Sequence, residues 1–373
     1  MSPQPLFCLN LACPSRGQVD TGNIRVHDSL SGRFRCHTCG RTFASNKGTI
    51  FYRLKTDPKI VLCVLALISR GCSLPAIVFA FGLDPRTVVN WQKKAGEHCQ
   101  EIHQHLVTNQ PRDLGQVQAD EIRAKLQKRL ILWMAMAIQV STRLWLGGVV
   151  SPSRDKDLIR RLVRMIRCQA LERPILLMTD GLVTYINAWK RAFCNIVKSG
   201  RRGRPRHILW PQVVIGQVVK RYEKKRVVGV DHRLIQGTQE LFEALNVMGQ
   251  KMNTAYIERI NATFRQRLCG LVRRGRCLLR HEAVMERGMY LVGCVYNFCT
   301  PHESLRVQNA VGSRRAQRTP AMAAGITDDI WSISDLFRYR IAPPPYVPPK
   351  PKSTRGRPLG SKNKPKIAAE AAK

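Results

Sequence analysis

Three acidic residues occupy positions at which a carboxylate can hold a metal ion. Asp120 follows a short predicted strand, Asp180 follows a short run with the pattern of a buried strand, and Glu258 lies in a basic segment with helical periodicity. Hard divalent cations take carboxylate oxygens as ligands, and a pair of them can bridge a phosphate and stabilise its attacking and leaving oxygens. The chain has 25 acidic residues against 62 basic ones, so acids at these positions are informative. We therefore predict a site for a pair of Mg²⁺ or Mn²⁺ ions at these three residues.

The same positions also admit simpler roles. Asp120 suits a turn, Asp180 suits a cap for the helix that follows it, and Glu258 suits a solvated ion pair. Glu121 competes with Asp120 for the metal, and Asp231 is a weaker alternative ligand. The sequence leaves these alternatives open.

Two pairs of cysteines near the N-terminus match the ligand set of a tetrahedral structural zinc site. These residues are Cys8, Cys13, Cys36 and Cys39. Gly40 follows the second pair, where a tight knuckle needs a residue that is free to take positive φ. The wider gap of the first pair leaves His27 and His37 as spare ligands, and unmetallated cysteines in a small basic domain are the alternative. A site with four protein ligands has no open position, so the predicted role of Zn²⁺ is structural.

The charge of the chain indicates its partner. The formal net charge is +37, and double-stranded DNA is the usual polyanion for such a protein. The longest apolar run, at 130–140, is too short to span a bilayer, and the N-terminus lacks the pattern of an export signal. We predict a cytoplasmic protein on the nucleoid, without a membrane partner.

Helical periodicity over 58–105 is interrupted at 82–85, which predicts a helix, a turn and a helix. Ser73 and Pro75 suit the first turn of one helix, and Trp91 is predicted to pack inward from the next. In a DNA-reading helix-turn-helix the second helix enters the major groove. The predicted DNA-contacting residues of that helix are Arg86, Thr87, Asn90, Gln92, Lys93 and Lys94. An ordinary helical hairpin is the alternative.

Two further sets of residues are predicted to contact DNA. Asn261 and Arg265 follow Glu258 at spacings that place all three on one helix face, so an amide and a phosphate-binding arginine would lie beside the metal ligand. In the tail, Arg355 and Arg357 belong to an Arg-Gly-Arg-Pro sequence similar to an AT-hook, which inserts arginines into a narrow minor groove. A solvated basic linker is the alternative for the tail.

From residue 115 onward, apolar runs and helical periodicity predict an α/β layer, and this layer contains the three acidic residues. Strands are predicted at 115–119, ending at Asp120, and at 130–137, 144–150 and 174–179. Helices are predicted at 153–168, with Ser153 as its cap, and at 182–193, 255–268 and 282–298. A hairpin within 199–236 is predicted to be an insertion.

The order of these motifs resembles a known family. Three segments are similar to those that carry the Asp-Asp-Glu triad of bacterial insertion-sequence transposases. They are the strand ending at Asp120, the segment Thr179–Gly181 after a strand, and the helical segment Ile257–Asn261. The segments at 296–305 and 318–325 are similar to the closing region of many such proteins. A zinc ribbon followed by a helix-turn-helix is also typical of several of these families.

The resemblance implies an RNase H-like mixed-sheet catalytic core over 111–340, with an insertion at 199–236. The predicted domains before it are a zinc ribbon over 1–50 and an all-α helix-turn-helix domain over 51–110, and a basic, proline-rich, disordered tail over 341–373 follows. The implied activity is metal-dependent cleavage of DNA at the ends of a mobile element, followed by strand transfer to target DNA. The implied assembly is a homo-oligomer on DNA.

The sequence departs from the family in one respect. In many relatives the second Asp and the Glu lie closer together, whereas here 77 residues separate Asp180 from Glu258. The alternative function is a DNA-binding regulator derived from a transposase, with an inactive nuclease fold. The presence of all three acids favours the enzyme.

Overall fold

The computed structural model describes residues 5–127, 130–198, 204–224, 226–247, 252–272, 281–308 and 315–348. They fall into two units, one of residues 5–43 with those from 342 onward, and one of residues 44–341. The predicted mixed α/β class is confirmed by a six-stranded sheet with helices packed against it. Arg355 and Arg357 lie outside the described residues.

The smaller unit is built on three short strands. They are β1 (Ile24–Asp28), β2 (Arg33–Cys36) and β3 (Thr42–Ala44), in that order in the sheet, with β1 antiparallel to β2. Its buried cluster consists of Cys8, Cys13 and Cys36, with Ile24 and Cys39 packed against them. A core of this size needs a cross-link or a bound metal to stabilise its fold.

Three helices open the larger unit, and the predicted helix, turn and helix are among them. They are α1 (Pro58–Ser69), α2 (Leu74–Phe81) and α3 (Pro85–His103). Gly82 ends α2 in the left-handed conformation, and the Asp84 carboxylate accepts the backbone N–H groups of Arg86 and Thr87 at the start of α3. Trp91 is buried, as predicted.

Six strands form the central sheet of the larger unit. They are β4 (Gln116–Lys125), β5 (Ile131–Gln139), β6 (Trp145–Ser151), β7 (Ile175–Asp180), β10 (Val213–Glu223) and β11 (Arg226–Gln236). Their order is β11-β10-β7-β4-β5-β6. β4, β5 and β6 form an antiparallel meander, whereas β7 runs parallel to β4 and β10 runs parallel to β7. A separate antiparallel pair, β8 (Cys194–Val197) and β9 (Arg206–Leu209), lies between β7 and β10 in the chain.

β4 is longer than the sequence predicted. The predicted strand stopped before Asp120, but β4 continues to Lys125, and its pairing with β5 extends as far as Lys125 opposite Ile131. Alternate residues beyond Asp120 are apolar, and Ile122 and Ala124 pack into the core, which holds this extension in the sheet. Asp120 therefore lies within a strand.

Helices cover the sheet. The remaining helices are α4 (Lys156–Gln169), α5 (Val183–Ala192), α6 (Gln239–Leu245), α7 (Ala255–Arg267), α8 (Glu282–Cys299), α9 (Pro320–Ala323) and α10 (Ile333–Arg338). The N-cap of α4 is Asp155, which accepts two backbone N–H groups, so the predicted cap at Ser153 was wrong by two residues. A short pair of strands, β12 (Val307–Gln308) and β13 (Arg315–Ala316), follows α8.

The 199–236 segment contributes to the central sheet. β10 pairs with β7 over Val213–Val218, and β11 extends the sheet as its edge strand. Val213, Val214 and Ile215 are buried, and such a run suits a strand with both faces covered. The predicted hairpin is present, but its first strand is an interior strand of the sheet.

The helices of residues 51–110 share a core with the sheet. Leu65 of α1 and Trp91 of α3 belong to the same buried cluster as Val117 of β4 and Leu162 of α4. The predicted boundary near residue 110 therefore falls between elements that pack together. No helix in the described part of the chain combines the length and the apolar character needed to cross a bilayer.

Candidate functional site

A cleft opens where β7 ends between two longer strands. In the parallel pairing of β4 with β7, Ala119 lies opposite Thr179, so Asp120 and Asp180 are neighbours at the point where β7 stops. The cleft has a volume of about 440 Å³. The carboxyl ends of parallel strands are common positions for ligand sites. The acidic residues that line it are Asp120, Asp180 and Glu258.

Three carboxylates form a close group in this part of the structure. Asp120, Glu121 and Asp180 each offer an oxygen within 4.8 Å of the others. Hard oxygen donors at this spacing suit a divalent cation such as Mg²⁺ or Mn²⁺. Glu258 lines the cleft outside this close group. The predicted ligands Asp120 and Asp180 are thus brought together, and Glu121, the predicted competitor, lies with them.

Asp120 and Glu121 have different surroundings because neighbouring side chains on a strand point to opposite faces. Asp120 Oδ2 accepts a hydrogen bond of 2.8 Å from the amide of Asn261 on α7. Glu121 Oε2 accepts one of 3.0 Å from the guanidinium of Arg154, and its side chain is only 1% exposed. Asp120 therefore faces α7 and the cleft, whereas Glu121 anchors an arginine.

The carboxylates of this group lose solvation and repel one another. Burial raises the pKa of Asp120 to about 6, and the charges of Asp180 and Glu258 add to this effect. Burial also raises the pKa of Glu121 to about 7, with a further contribution from Asp180. A bound divalent cation would relieve this repulsion, so the donor set fits such an ion.

Gln118, which the sequence analysis missed, ties the N-terminus of α7 to β4. Its Oε1 accepts the backbone N–H groups of Tyr256 at 3.1 Å and Ile257 at 3.0 Å, and its Nε2 donates to the carbonyl of Asn253 at 2.8 Å. These bonds satisfy N–H groups that a helix start leaves without partners. They also set the position of Glu258, one residue further along α7. The signal that could have identified it is a polar residue in a buried strand, two positions before Asp120 and therefore on the same face of that strand.

Glu258 is held at the mouth of the cleft by two neighbours. Its Oε1 accepts a hydrogen bond of 2.7 Å from the ammonium of Lys220 on β10 and one of 3.3 Å from the hydroxyl of Thr254. The Glu258 side chain is 49% exposed and that of Lys220 is 40% exposed. The hydrogen bond to Glu258 raises the pKa of Lys220, which keeps the ammonium charged.

Asp180 has both a local and a tertiary role. Its Oδ1 accepts the backbone N–H of Leu182 at 3.0 Å, so it stabilises the turn before α5. It does not cap that helix, whose N-cap is Leu182 without a side-chain cap bond. Its Oδ2 lies 3.6 Å from the guanidinium of Arg154. Arg154 thus bridges Glu121 and Asp180, and it was not identified from the sequence.

The other predicted residues of this region occupy distinct positions. Asn261 is 1% exposed and donates to Asp120, so its amide supports a carboxylate from within the core rather than facing solvent. Arg265 is partly buried, and its charge partly opposes the rise that burial causes in the pKa of Asp120. Asp231 lies on β11, where it pairs with Arg221 at 3.2 Å and with Arg233 at 4.0 Å.

The cysteine cluster of the smaller unit has the geometry of a metal site. One ligand atom from each of Cys8, Cys13, Cys36 and Cys39 lies within 4.8 Å of the others. The sulfurs of Cys8 and Cys39 are 3.6 Å apart, and those of Cys13 and Cys36 are 3.8 Å apart. A tetrahedron with Zn–S bonds of about 2.3 Å has sulfurs about 3.8 Å apart, whereas a disulfide needs about 2.0 Å. The cluster therefore fits a tetrahedral metal.

The surroundings of this cluster match the expected knuckles. Gly40 has φ of +69° and donates its N–H to the carbonyl of Cys36 at 2.8 Å, as predicted for a tight turn. His27 and His37 are exposed and lie outside the close group, so the four cysteines, and neither histidine, form the candidate ligand set. Burial raises the pKa of the Cys8 and Cys13 thiols, so binding of a metal would release their protons.

The predicted DNA-reading residues lie along the N-terminal half of α3. Arg86, Asn90, Lys93 and Lys94 are exposed, and Thr87 and Gln92 are partly exposed. Their side chains are accessible to a partner, and base contact by them stays a prediction.

No model of a protein family matches the chain, and a search of curated proteins likewise finds no match. The functional interpretation therefore rests on the geometry of the two clusters.

Proposed function

We propose that the chain is a transposase that cleaves DNA strands and joins the freed ends to target DNA with divalent cations held by Asp120, Asp180 and Glu258. One observation carries this proposal. Three carboxylates that are far apart in the sequence line one cleft at the end of β7. Phosphodiester cleavage by paired cations needs such a set of oxygen ligands.

The arrangement of the sheet supports an RNase H-like core. An antiparallel meander of β4, β5 and β6 is followed by β7 and β10, which continue the sheet in parallel on the other side of β4. The first carboxylate lies on β4, the second ends β7, and the third lies on a later helix. This is the order in which the Asp-Asp-Glu residues of the family that the sequence resembles would be expected.

The residues around the cleft have different roles in the proposed reaction. When bound, the cations would polarise the phosphate and lower the pKa of the attacking water or hydroxyl. Asn261 orients Asp120, and Gln118 holds α7 so that Glu258 faces the cleft. Arg265 provides a positive charge beside Asp120 that suits a DNA phosphate.

The rest of the chain suits DNA as the substrate. The formal net charge is +37, and the exposed residues Arg86, Asn90, Lys93 and Lys94 suit a helix that contacts DNA. The cysteine cluster is proposed to be a zinc ribbon, since its sulfur spacing suits Zn²⁺. We also propose that the protein works as a homo-oligomer on paired DNA ends.

The test uses a supercoiled plasmid that carries the DNA immediately upstream and downstream of the coding sequence of this protein. The purified full chain is incubated with it in Mn²⁺ or Mg²⁺, and nicked and joined products are separated on a gel. Wild type should nick and join the plasmid, and Asp180→Ala should do neither. Equal products from both proteins would show that Asp180 is not a ligand.

A wild-type protein that binds the plasmid but gives no products with either ion would favour the DNA-binding regulator instead. Products that are nicked but never joined would indicate a simple nuclease. With plasmid binding measured in parallel by a mobility shift, the three results are distinct and separate the three functions.

A further inference from the structure

The charges that line the cleft are nearly balanced before any cation binds. Its acidic side chains are those of Asp120, Asp180 and Glu258, and its basic side chains are those of Arg154 and Lys220. One negative charge is left in excess, which opposes the approach of a DNA phosphate. Divalent cations would reverse this sign.

Arg154 is anchored where it lies. Its guanidinium donates to Glu121, whose side chain is 1% exposed, and it stacks over the ring of Trp133 at 5.1 Å from the ring centre. Release of Arg154 would remove the guanidinium partner of the Glu121 carboxylate and leave a buried acid to be neutralised by a proton, which is costly. Arg154 therefore stays at the wall of the cleft.

Within the described part of the chain, the side chain of Lys220 is held by an exposed ion pair, so it can move. Its ammonium bonds Glu258 across the mouth of the cleft at 2.7 Å, and both side chains are close to half exposed. An exposed pair of this kind contributes little free energy, and the lysine stem has four rotatable carbons. The backbone of Lys220 is fixed by pairing of β10 with β11, so only its side chain would swing.

β10 presents Lys220 to the cleft. Lys220 and Tyr222 both line the cleft, whereas Arg221 is absent from its lining and pairs with Asp231. The ammonium of Lys220 is thus the cleft charge that a cation on Glu258 would set free.

We propose that Lys220 is an exchangeable counter-ion: it neutralises Glu258 in the metal-free protein and binds a DNA phosphate when a divalent cation takes Glu258. This inference rests on the proposed function, because it needs Glu258 to be a metal ligand and DNA to be the substrate. Its consequence is that divalent cations and DNA strengthen each other's binding by the same factor.

Two measurements on the full chain test this exchange, with Lys220→Met as the variant and Lys190→Met as the control. Lys190 is an exposed lysine on α5, so the control removes the same charge away from the cleft. Mn²⁺ affinity without DNA is measured by electron paramagnetic resonance. Lys220→Met should bind Mn²⁺ about two- to fivefold more tightly than wild type, since the competing ammonium is gone. Lys190→Met should match wild type.

The second measurement is the salt dependence of affinity for a short duplex, with and without a low, constant concentration of Ca²⁺. In wild type, Ca²⁺ should steepen the slope of log affinity against log salt by about 0.9, the value for one additional phosphate contact. Lys190→Met should show the same change, Lys220→Met should show none, and Lys220→Arg should restore it.

Unchanged or weaker Mn²⁺ binding by Lys220→Met, or a slope change that persists in it, would overturn the exchange. If wild type cleaves the plasmid and Lys220→Met behaves like Lys190→Met, the exchange alone has failed. If wild type neither binds Mn²⁺ nor cleaves, the proposed function has failed with it.

Discussion

The cysteine cluster and the acidic cleft are both suited to metals, and they differ in how they are built. The cysteines lie within residues 8–39, are held by short turns and three small strands, and are mostly buried. The carboxylates come from β4, β7 and α7, line an open cleft, and are partly neutralised by lysine and arginine. A closed set of four ligands suits structure, and an open set suits chemistry. The two sites should therefore fail in different ways when a ligand is removed.

The largest effect should come from removing a cysteine ligand. If the cluster holds Zn²⁺ as proposed, Cys13→Ser should fail to bind it and should unfold residues 5–43, since zinc binding contributes about 10–16 kcal/mol to small zinc domains. Inductively coupled plasma mass spectrometry would measure the loss of zinc, and limited proteolysis of this segment would measure its unfolding. Cys72→Ser, at an exposed cysteine, should keep both properties. If this segment were zinc-free and still resistant to protease in the Cys13→Ser protein, its fold would not depend on zinc.

Removing a carboxylate ligand should abolish activity without unfolding the protein. Asp120→Asn should lower DNA cleavage by about a thousandfold, which corresponds to about 4 kcal/mol of transition-state stabilisation. The raised pKa of Asp120 means that its charge is unfavourable in the metal-free fold near neutral pH. The melting temperature should accordingly be unchanged or higher. Asp231→Asn, on the same sheet, should cleave normally, and comparable losses in both variants would make Asp231 a ligand.

Breaking the link between β4 and α7 should weaken both fold and site. Gln118→Leu leaves the N–H groups of Tyr256 and Ile257 without their acceptor, at a cost of about 1–3 kcal/mol in the free energy of unfolding. Denaturant titration would measure this loss. Affinity for Mn²⁺ should fall as well, because Glu258 is displaced.

The control for this variant is Gln139→Leu. Gln139 is also a buried glutamine of the sheet, and it bonds the carbonyl of Asp113 and the hydroxyl of Thr142. It should lose stability and keep Mn²⁺ affinity. A Gln118→Leu protein with normal Mn²⁺ affinity would show that this glutamine has only a structural role.

The smallest effect should be a dependence of cation binding on pH. Asp120 has a pKa of about 6 and Glu121 of about 7 in the metal-free protein, so both are increasingly neutral as the pH falls through this range. A cation must then displace a proton, and its affinity should fall by up to about tenfold for each pH unit below 6. Mn²⁺ titrations between pH 5 and 8 would test it. An affinity that is constant down to pH 5 would contradict the raised pKa of Asp120.

Much of the local structure could be predicted from the sequence. The apolar runs at 130–137 and 174–179 correspond to β5 and β7, and helical periodicity located α7 and α8 to within two residues. These elements are strongly patterned, and pattern is the main signal of secondary structure. The cysteine pairs were identified as one cluster because their spacing is itself the signal.

Other features depend on contacts between distant segments. The end of β4 was placed too early because the residues after Asp120 mix polar and apolar types, and pairing with β5 holds them in the sheet. β10 was taken as part of an insertion because nothing in its own residues indicates that it pairs with β7. Gln118 and Lys220 went unnoticed for the same reason, since their partners on α7 lie far along the chain.

By itself, then, the sequence determined the types of ligand present, the excess of positive charge and most of the helices and strands, because these depend on composition and on neighbouring residues. Only the tertiary structure decided which side chains meet: that Asp120 lies beside Asp180, that Gln118 holds the helix of Glu258, and that Lys220 and Arg154 neutralise the cleft. The physical reason is that strand pairing and helix packing bring together residues whose separation along the chain carries no signal of their contact.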